Sequence, residues 1–491
     1  MWWVLLALIL LAAALRLSTL GQQSLWYDEA FTPVHVLRGS LGSTLHNVLH
    51  SENTPPLWYV LEWAISRVLG TGAVALRLLS ALAGIATVPV AWAIGCELEG
   101  PSAGPPATAQ RVRRVAIATG AFVAVNPLFV WYSQEARAYG LFGLTASLAL
   151  LCFLRALREP TTRRLAVFAL TVSLALLTHY FAVFLLVPMA LWLLWGARAQ
   201  LSRVLCALAV PVLVGAALIP LILEQGGHGT QWIGEWALAS RLEAIPQYYL
   251  TGYTGSALGH GVELLVALAI LAGVVHGLWC TLTPSEERGA SIVLSVAASG
   301  VLLPIVLALV GADYLAPRNL VAAMVPLSAL LGVVIVARRT GWVGMALAGL
   351  VALLFLALTI DVDLSPRLQR GDWAGVAKLL RASPRARAIT TVELGAAPLE
   401  YYLPPLANLA RGGSVKVSEV DETGYAPLRK SAGRPPAPGF HLLESRDIHG
   451  LVVYRFTSSV PVTISERVLR EHVITLAHPE VLVRVFPGKT T

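Results

Sequence analysis

Two adjacent acids, Asp28 and Glu29, stand in the run LWYDEAFT, just after an apolar stretch covering residues 2–20. A carboxylate where hydrocarbon gives way to water is costly unless it is hydrated, paired or used. One acid there can act as general base on a lipid-borne substrate, with its neighbour tuning it through like-charge repulsion. The plainer reading is juxtamembrane charge that ends a helix. A second constellation is Glu135, Arg137 and Tyr139 in NPLFVWYSQEARAYGL. Guanidinium offers a planar fork of donors suited to phosphate, and the Tyr139 hydroxyl can bond the same group; a Glu135 to Arg137 pair serving structure alone is the alternative. Arg318 follows Pro317 in GADYLAPRNL, and His179 and Tyr180 occupy the turn in LLTHYFAVF. A lone histidine between apolar segments is more often an interfacial hydrogen bonder than a ligand, so His179, Tyr180 and Glu135 enter as candidate substrate contacts. Two arginines and a carboxylate pair on one side of a membrane suit a phosphate leaving group facing a general base.

The elements that must position these residues are membrane spans. The 491 residues are 56% hydrophobic and only 13% charged, against about 25% charged in a soluble globule. The chain therefore reads as an α-helical polytopic membrane protein. Apolar stretches near the roughly 20 residues needed to cross a bilayer recur between residues 2 and 360, giving about eleven spans. The first lacks a basic leader segment and reads as a retained helix. Loops after the even-numbered spans carry Arg111, Arg113, Arg114, Arg155, Arg158 and Arg288, whereas the opposite loops hold most of the acids. The positive-inside rule then places the N-terminus in the cytoplasm and the acidic loops and C-terminal tail outside. The net charge of +8 follows from this arginine bias and does not call for nucleic acid. Cys96, Cys152, Cys206 and Cys280 show no metal-ligand spacing and read as reduced packing residues.

Three regions interrupt the apolar background. In the first outer loop, 21–71, Pro55 and Pro56 open an apolar run with Trp58, Tyr59 and Trp63, which predicts interfacial helices. A second outer loop covers 224–260. The tail, 361–491, predicts a helix over 372–383 and β-rich runs from AITTVEL onwards, hence a small α/β domain after a membrane domain of residues 1–360. Residues 406–439, rich in Pro, Gly and charge, read as loop.

WYDEA, PPLWYVL, SQEARAYGL, THYF and APRNL, in this order, resemble the bacterial relatives of protein O-mannosyltransferases. These belong to the GT-C superfamily of polyprenyl-phosphate-sugar-dependent glycosyltransferases, which also includes the lipid A aminoarabinose transferases. The resemblance covers roughly residues 2–360. It implies a GT-C bundle of transmembrane helices with a small extracytoplasmic C-terminal domain, in the cytoplasmic (inner) membrane. The implied reaction is inverting transfer of a sugar from a polyprenyl-phosphate donor to an extracytoplasmic acceptor hydroxyl on a glycan, lipid or protein. Carried over, Asp28 is the base, Glu29 assists placement, and Arg137, Tyr139 and Arg318 hold the donor phosphate. Where many relatives carry a histidine before PPL, this chain has Glu52, Asn53 and Thr54, which makes Asn53 a candidate substrate contact. Asn319 stands where relatives carry a tyrosine. No cofactor is required by the sequence; some members of the superfamily use a divalent metal, and no dedicated ligand cluster is visible. Two rivals remain: a polyprenyl-lipid transporter or flippase, which predicts paired halves that are not apparent, and a noncatalytic scaffold of an envelope-assembly complex.

Overall fold

A computed structural model describes residues 2–98, 106–228, 230–255, 258–381, 385–475 and 478–484. The chain divides into two compact units, one of residues 1–20 and 38–368, the other of residues 21–37 and 369–491. The first outer loop is thus shared between them.

The first unit is helical. Among the described residues, seven helices are long and apolar enough to cross a membrane, or eight if the bent pair Gln110–Val125 and Pro127–Ser133 is one span. The expected stretches at 2–20, 164–178 and 181–197 form helices of 16, 17 and 15 residues. The first ends at a turn that follows Leu17, and the other two are separated by the turn at His179–Phe181. The helix Leu201–Gln225 leaves Leu205, Val212, Leu213, Ile219 and Leu223 exposed, the face a lipid-bathed helix presents. The chain is a multi-pass membrane protein.

The 56° bend in the pair has a local cause. Pro127 disfavours helical geometry at Asn126, whose ψ is 125°. The Asn126 side chain then caps the next helix by accepting from the Phe129 N–H at 3.0 Å. Pro127 has no N–H for the Val123 carbonyl, and buried Arg16 supplies the donor instead, bonding Val123 O at 3.2 Å and Ala124 O at 2.9 Å. Behind this bend, residues 134–138 form a buried turn into the helix Tyr139–Arg158. Gln134 anchors it through donations to Leu15 O and Thr19 Oγ1, and Ser80 donates to Arg137 O at 2.9 Å. Gly140 permits the approach: a Cβ there would lie 2.7 Å from Ser80 O. Gly140→Ala should therefore cost about 1–3 kcal/mol by overpacking, seen as a lower thermal midpoint in detergent. Gly42→Ala, which faces open space, should leave the midpoint unchanged or raise it.

Residues 38–71 contain two helices, Leu41–Ser51 and Leu57–Leu69, the second starting directly after Pro56 as its proline pair predicts. Its buried side carries Trp58, Tyr59, Glu62 and Ser66. Glu62 is fully buried, and no donor meets either carboxylate oxygen among the described residues. Burial pushes its carboxyl up to about 8. With the folded value above the usual one, the native state holds the proton more tightly, so stability is greatest below about pH 4.5 and falls as pH rises through about 8. Glu62→Gln should remove most of this decline, an effect of a few kcal/mol at alkaline pH, measured by thermal midpoints from pH 5 to 9.

The second unit holds a six-stranded sheet in the order β2-β6-β1-β3-β5-β4. The strands are β1 Arg387–Val392, β2 Ala407–Asn408, β3 Ser414–Tyr425, β4 His441–Ile448, β5 Leu451–Ser465 and β6 Pro479–Arg484. Strand β1 pairs parallel with β3 and antiparallel with β6. Alternate residues of β1 enter opposite cores, Ile389 with Trp373, Val376 and Leu399, and Ala388 with Val417, Phe456 and Leu469. The helix expected over 372–383 is present as Trp373–Arg381; Ala382 and Ser383 lie outside the described residues, as do Val485 and Phe486 of the last expected β run.

The expectation of loop over 406–439 is overturned by β3, which sits inside the sheet. Its residues 419–423 are buried although three of them are acidic. Arg387 pairs with Asp421 at 3.2 Å, Arg455 with Glu419 at 2.7 Å, and His472 with Glu422 at 3.1 Å. Burial and the neighbouring Glu419 raise the Asp421 carboxyl, opposed by the two arginines. Charge that reads as loop in sequence is here neutralised inside the domain.

Candidate active site

In the first unit the buried turn 134–138 presents Arg137 to Glu52. The pair is bidentate, Nη1 to Oε1 at 3.1 Å and Nη2 to Oε2 at 3.0 Å, between residues 85 apart in sequence. Glu52 is 4% exposed and Arg137 8%, so the pair is largely withdrawn from solvent. Glu52 caps the C-terminus of Leu41–Ser51 just before the two prolines, which is why a carboxylate is available at that point. Tyr59 is buried with its hydroxyl 3.0 Å from Thr54 Oγ1; burial raises its pKa, with Arg137 opposing and Glu52 adding to the rise.

Gln225 pins this segment from across the unit, donating to Val48 O and Thr54 O. Tyr180 donates to Gln225 Oε1 at 2.8 Å, and Asn53 donates to His228 O at 3.4 Å. Both side chains therefore have protein partners. Glu135, 1% exposed, is not the acid that forks Arg137.

His179 is brought to the same neighbourhood by the turn between Thr162–Thr178 and Ala182–Gly196. Its ring stacks on Phe142 at 4.6 Å and 12°, with the Tyr139 ring 5.9 Å away. Burial first, then the charges of Arg137 and Arg318, lower its pKa to about 3. Arg318 lies over the Trp232 ring at 5.0 Å. Its loop is held by Arg241, which clamps Asp313 with two bonds of 2.7 Å and donates to Leu315 O; the bond from Arg241 lowers the Asp313 pKa. The Tyr132 ring lies 4.9 Å from that of Tyr139, and Tyr253 packs edge-on against Tyr132 at 6.4 Å and stacks on Trp131 at 5.2 Å. Arg137, Tyr139, His179 and Arg318 thus form one basic and aromatic region of the first unit.

Asp28 and Glu29 belong to the second unit. Residues 21–37 join it through Ser24 Oγ donating to Asp372 at 2.8 Å and Leu25 N donating to the Tyr402 hydroxyl at 2.8 Å. The two acids open the short helix Tyr27–Phe31 and have different environments. Glu29 is fully buried, accepts from Trp26 N at 3.4 Å as half of a capping box, and lies 3.7 Å from Arg370 Nε. Asp28 is half-buried. On the same unit, Tyr27, Phe31, His35, Glu393, Glu400 and Glu480 line a cavity of about 230 Å³, with His35 Nε2 2.8 Å from Glu400 Oε2.

Sequence reading missed Glu52 as the partner of Arg137, the cap formed by Glu29, and the tyrosines at 132 and 253. Its one available signal was the acid itself, standing three residues before the proline pair. Among the described residues no group of three His, Cys, Asp or Glu side chains is arranged to hold a metal ion.

A search of curated protein sequences finds no match. Residues 53–223 match the sequence model of the dolichyl-phosphate-mannose-protein mannosyltransferase family. That range takes in PPLWYVL, SQEARAYGL and THYF but leaves out WYDEA and APRNL. Among solved structures, the chain is similar to the Archaeoglobus fulgidus oligosaccharyltransferase in complex with Zn and sulfate, at 15% identity and a TM-score of 0.44. The match covers 82% of this chain and only 57% of that one. It is also similar to ArnT from Cupriavidus metallidurans, bound to undecaprenyl phosphate (13% identity, TM-score 0.43) and in the apo state (16%, 0.41), covering 92% of this chain and 97% of ArnT in both. Over residues 53–223 the chain is similar to that mannosyltransferase family, as the motifs lying within this range lead one to expect.

Proposed function

We propose that this protein is an inverting glycosyltransferase that moves a sugar from a polyprenyl-phosphate donor to an acceptor hydroxyl on the extracytoplasmic face of the cytoplasmic membrane. The observation that carries the reading is the family match over residues 53–223, which contains the buried turn bearing Arg137. Asp28 takes the acceptor proton, and the acceptor oxygen attacks the anomeric carbon from the face opposite the lipid phosphate. The bond between that carbon and the phosphate oxygen breaks, its electron pair leaves with the phosphate, and the configuration inverts. Arg137 and Arg318, with Tyr139, stabilise the charge that accumulates on the leaving phosphate. A lipid phosphate is already an adequate leaving group, so no strong acid is needed. Glu29 holds the helix that carries Asp28, a role its capping bond supports. The arginine bias of alternate loops supports the outward orientation.

The test is release of free polyprenyl phosphate by the purified protein from a panel of polyprenyl-phosphate sugars, with envelope extract as acceptor source. Acceptor-dependent release from one donor is the expected result. Donor binding without release from any donor would overturn the reading in favour of lipid transport or scaffolding.

A further inference from the structure

His179 combines three features that together specify its protonation and leave one bond unaccounted for. Its Nδ1 faces the backbone N–H of Phe181 at 3.2 Å. A backbone N–H can only donate, so Nδ1 must be the acceptor and the ring proton must sit on Nε2. Face-to-face packing on Phe142 at 4.6 Å fixes the ring plane. Nε2 is buried and meets no acceptor among the described residues, although His179 as a whole is only 3% exposed. Buried donors are nearly always bonded, and the positive field of Arg137 and Arg318 at this ring favours an acceptor that carries negative charge. Nε2–H asks for an anionic oxygen. Arg137 and Arg318 both bear electrostatically on this ring, so the anion that answers Nε2–H lies within reach of their fields.

We infer that His179, as its Nε2–H tautomer, is a third donor to the phosphoryl group that Arg137 and Arg318 bind. This rests on the glycosyltransferase reading and deepens it by giving the phosphate a neutral donor as well as two charged ones. A neutral donor does not titrate across the working range, so its contribution is constant from pH 5 to 9. It also bonds a phosphoryl oxygen directionally without adding a charge that would hold the product lipid phosphate in place.

The test uses full-length protein labelled with ¹⁵N-histidine, titrated with farnesyl phosphate or, separately, with inorganic phosphate. The expected spectrum has His179 as the Nε2–H tautomer from pH 5 to 9, with its Nε2–H proton moving downfield as farnesyl phosphate binds. His179→Phe should weaken farnesyl phosphate binding about 10-fold or more, while His179→Gln, which keeps an N–H donor, should recover part of the loss. A response to farnesyl phosphate at concentrations where inorganic phosphate gives none supports a lipid-borne phosphoryl ligand; equal responses support recognition of the phosphoryl group alone. Farnesyl phosphate binding that leaves the Nε2 signal unmoved, or unaltered affinity in His179→Phe, overturns this role for His179 and leaves the transferase reading standing. No binding of farnesyl phosphate by the wild type, or affinity unaffected by Arg137→Met, overturns both.

Discussion

Asp28→Asn is expected to lower turnover by about 10²- to 10⁴-fold, the range a positioned general base contributes, while donor binding persists. The amide keeps the shape of the side chain and loses its basicity. The adjacent acid does not offer a substitute: Glu29 is fully buried, its carboxylate accepts the Trp26 N–H, and Arg370 stands beside it. Glu29→Gln should therefore weaken the cap and the ion pair and lower stability, with a smaller loss of turnover per folded molecule. Polyprenyl phosphate release and donor binding, measured on both variants, separate the two roles. Turnover at the wild-type level in Asp28→Asn would remove Asp28 from the chemistry.

Glu52→Gln should destabilise the protein by about 3–5 kcal/mol, because it leaves the buried Arg137 guanidinium without its counter-charge. The effect is large because the pair is bidentate and almost fully withdrawn from solvent. Replacing both partners, Glu52→Gln with Arg137→Met, removes the stranded charge and should restore much of the thermal stability. It should not restore donor binding, since the phosphate still lacks its fork of donors. Thermal midpoints and farnesyl phosphate affinity across this cycle distinguish a structural ion pair from a phosphate site. Recovery of donor affinity in the double variant would show that Arg137 serves the fold alone.

These variants also mark where sequence reading was strong and where it was blind. Apolar stretches fixed the helices because a bilayer demands long runs without charge, and proline fixed local breaks at Pro56 and Pro127 because it removes an N–H and constrains the residue before it. The ordered motifs were sufficient to suggest the family, and the match over residues 53–223 contains three of them. The same logic failed at Ser414–Tyr425. Acidic residues in a strand look solvated until the arginines and the histidine that pair with them, 34 to 50 residues away in sequence, are folded against them.

By itself the sequence determined where long apolar helices lie, where helices start, and which residue types could work on a phosphate, since these follow from local composition and spacing. Only the tertiary structure decided that Arg137 forks onto Glu52, that Glu29 is a buried cap whereas Asp28 is half-exposed, and that the His179 proton sits on Nε2. Each of these depends on a partner or an environment supplied by the folded chain, and local pattern carries no record of which distant group will arrive.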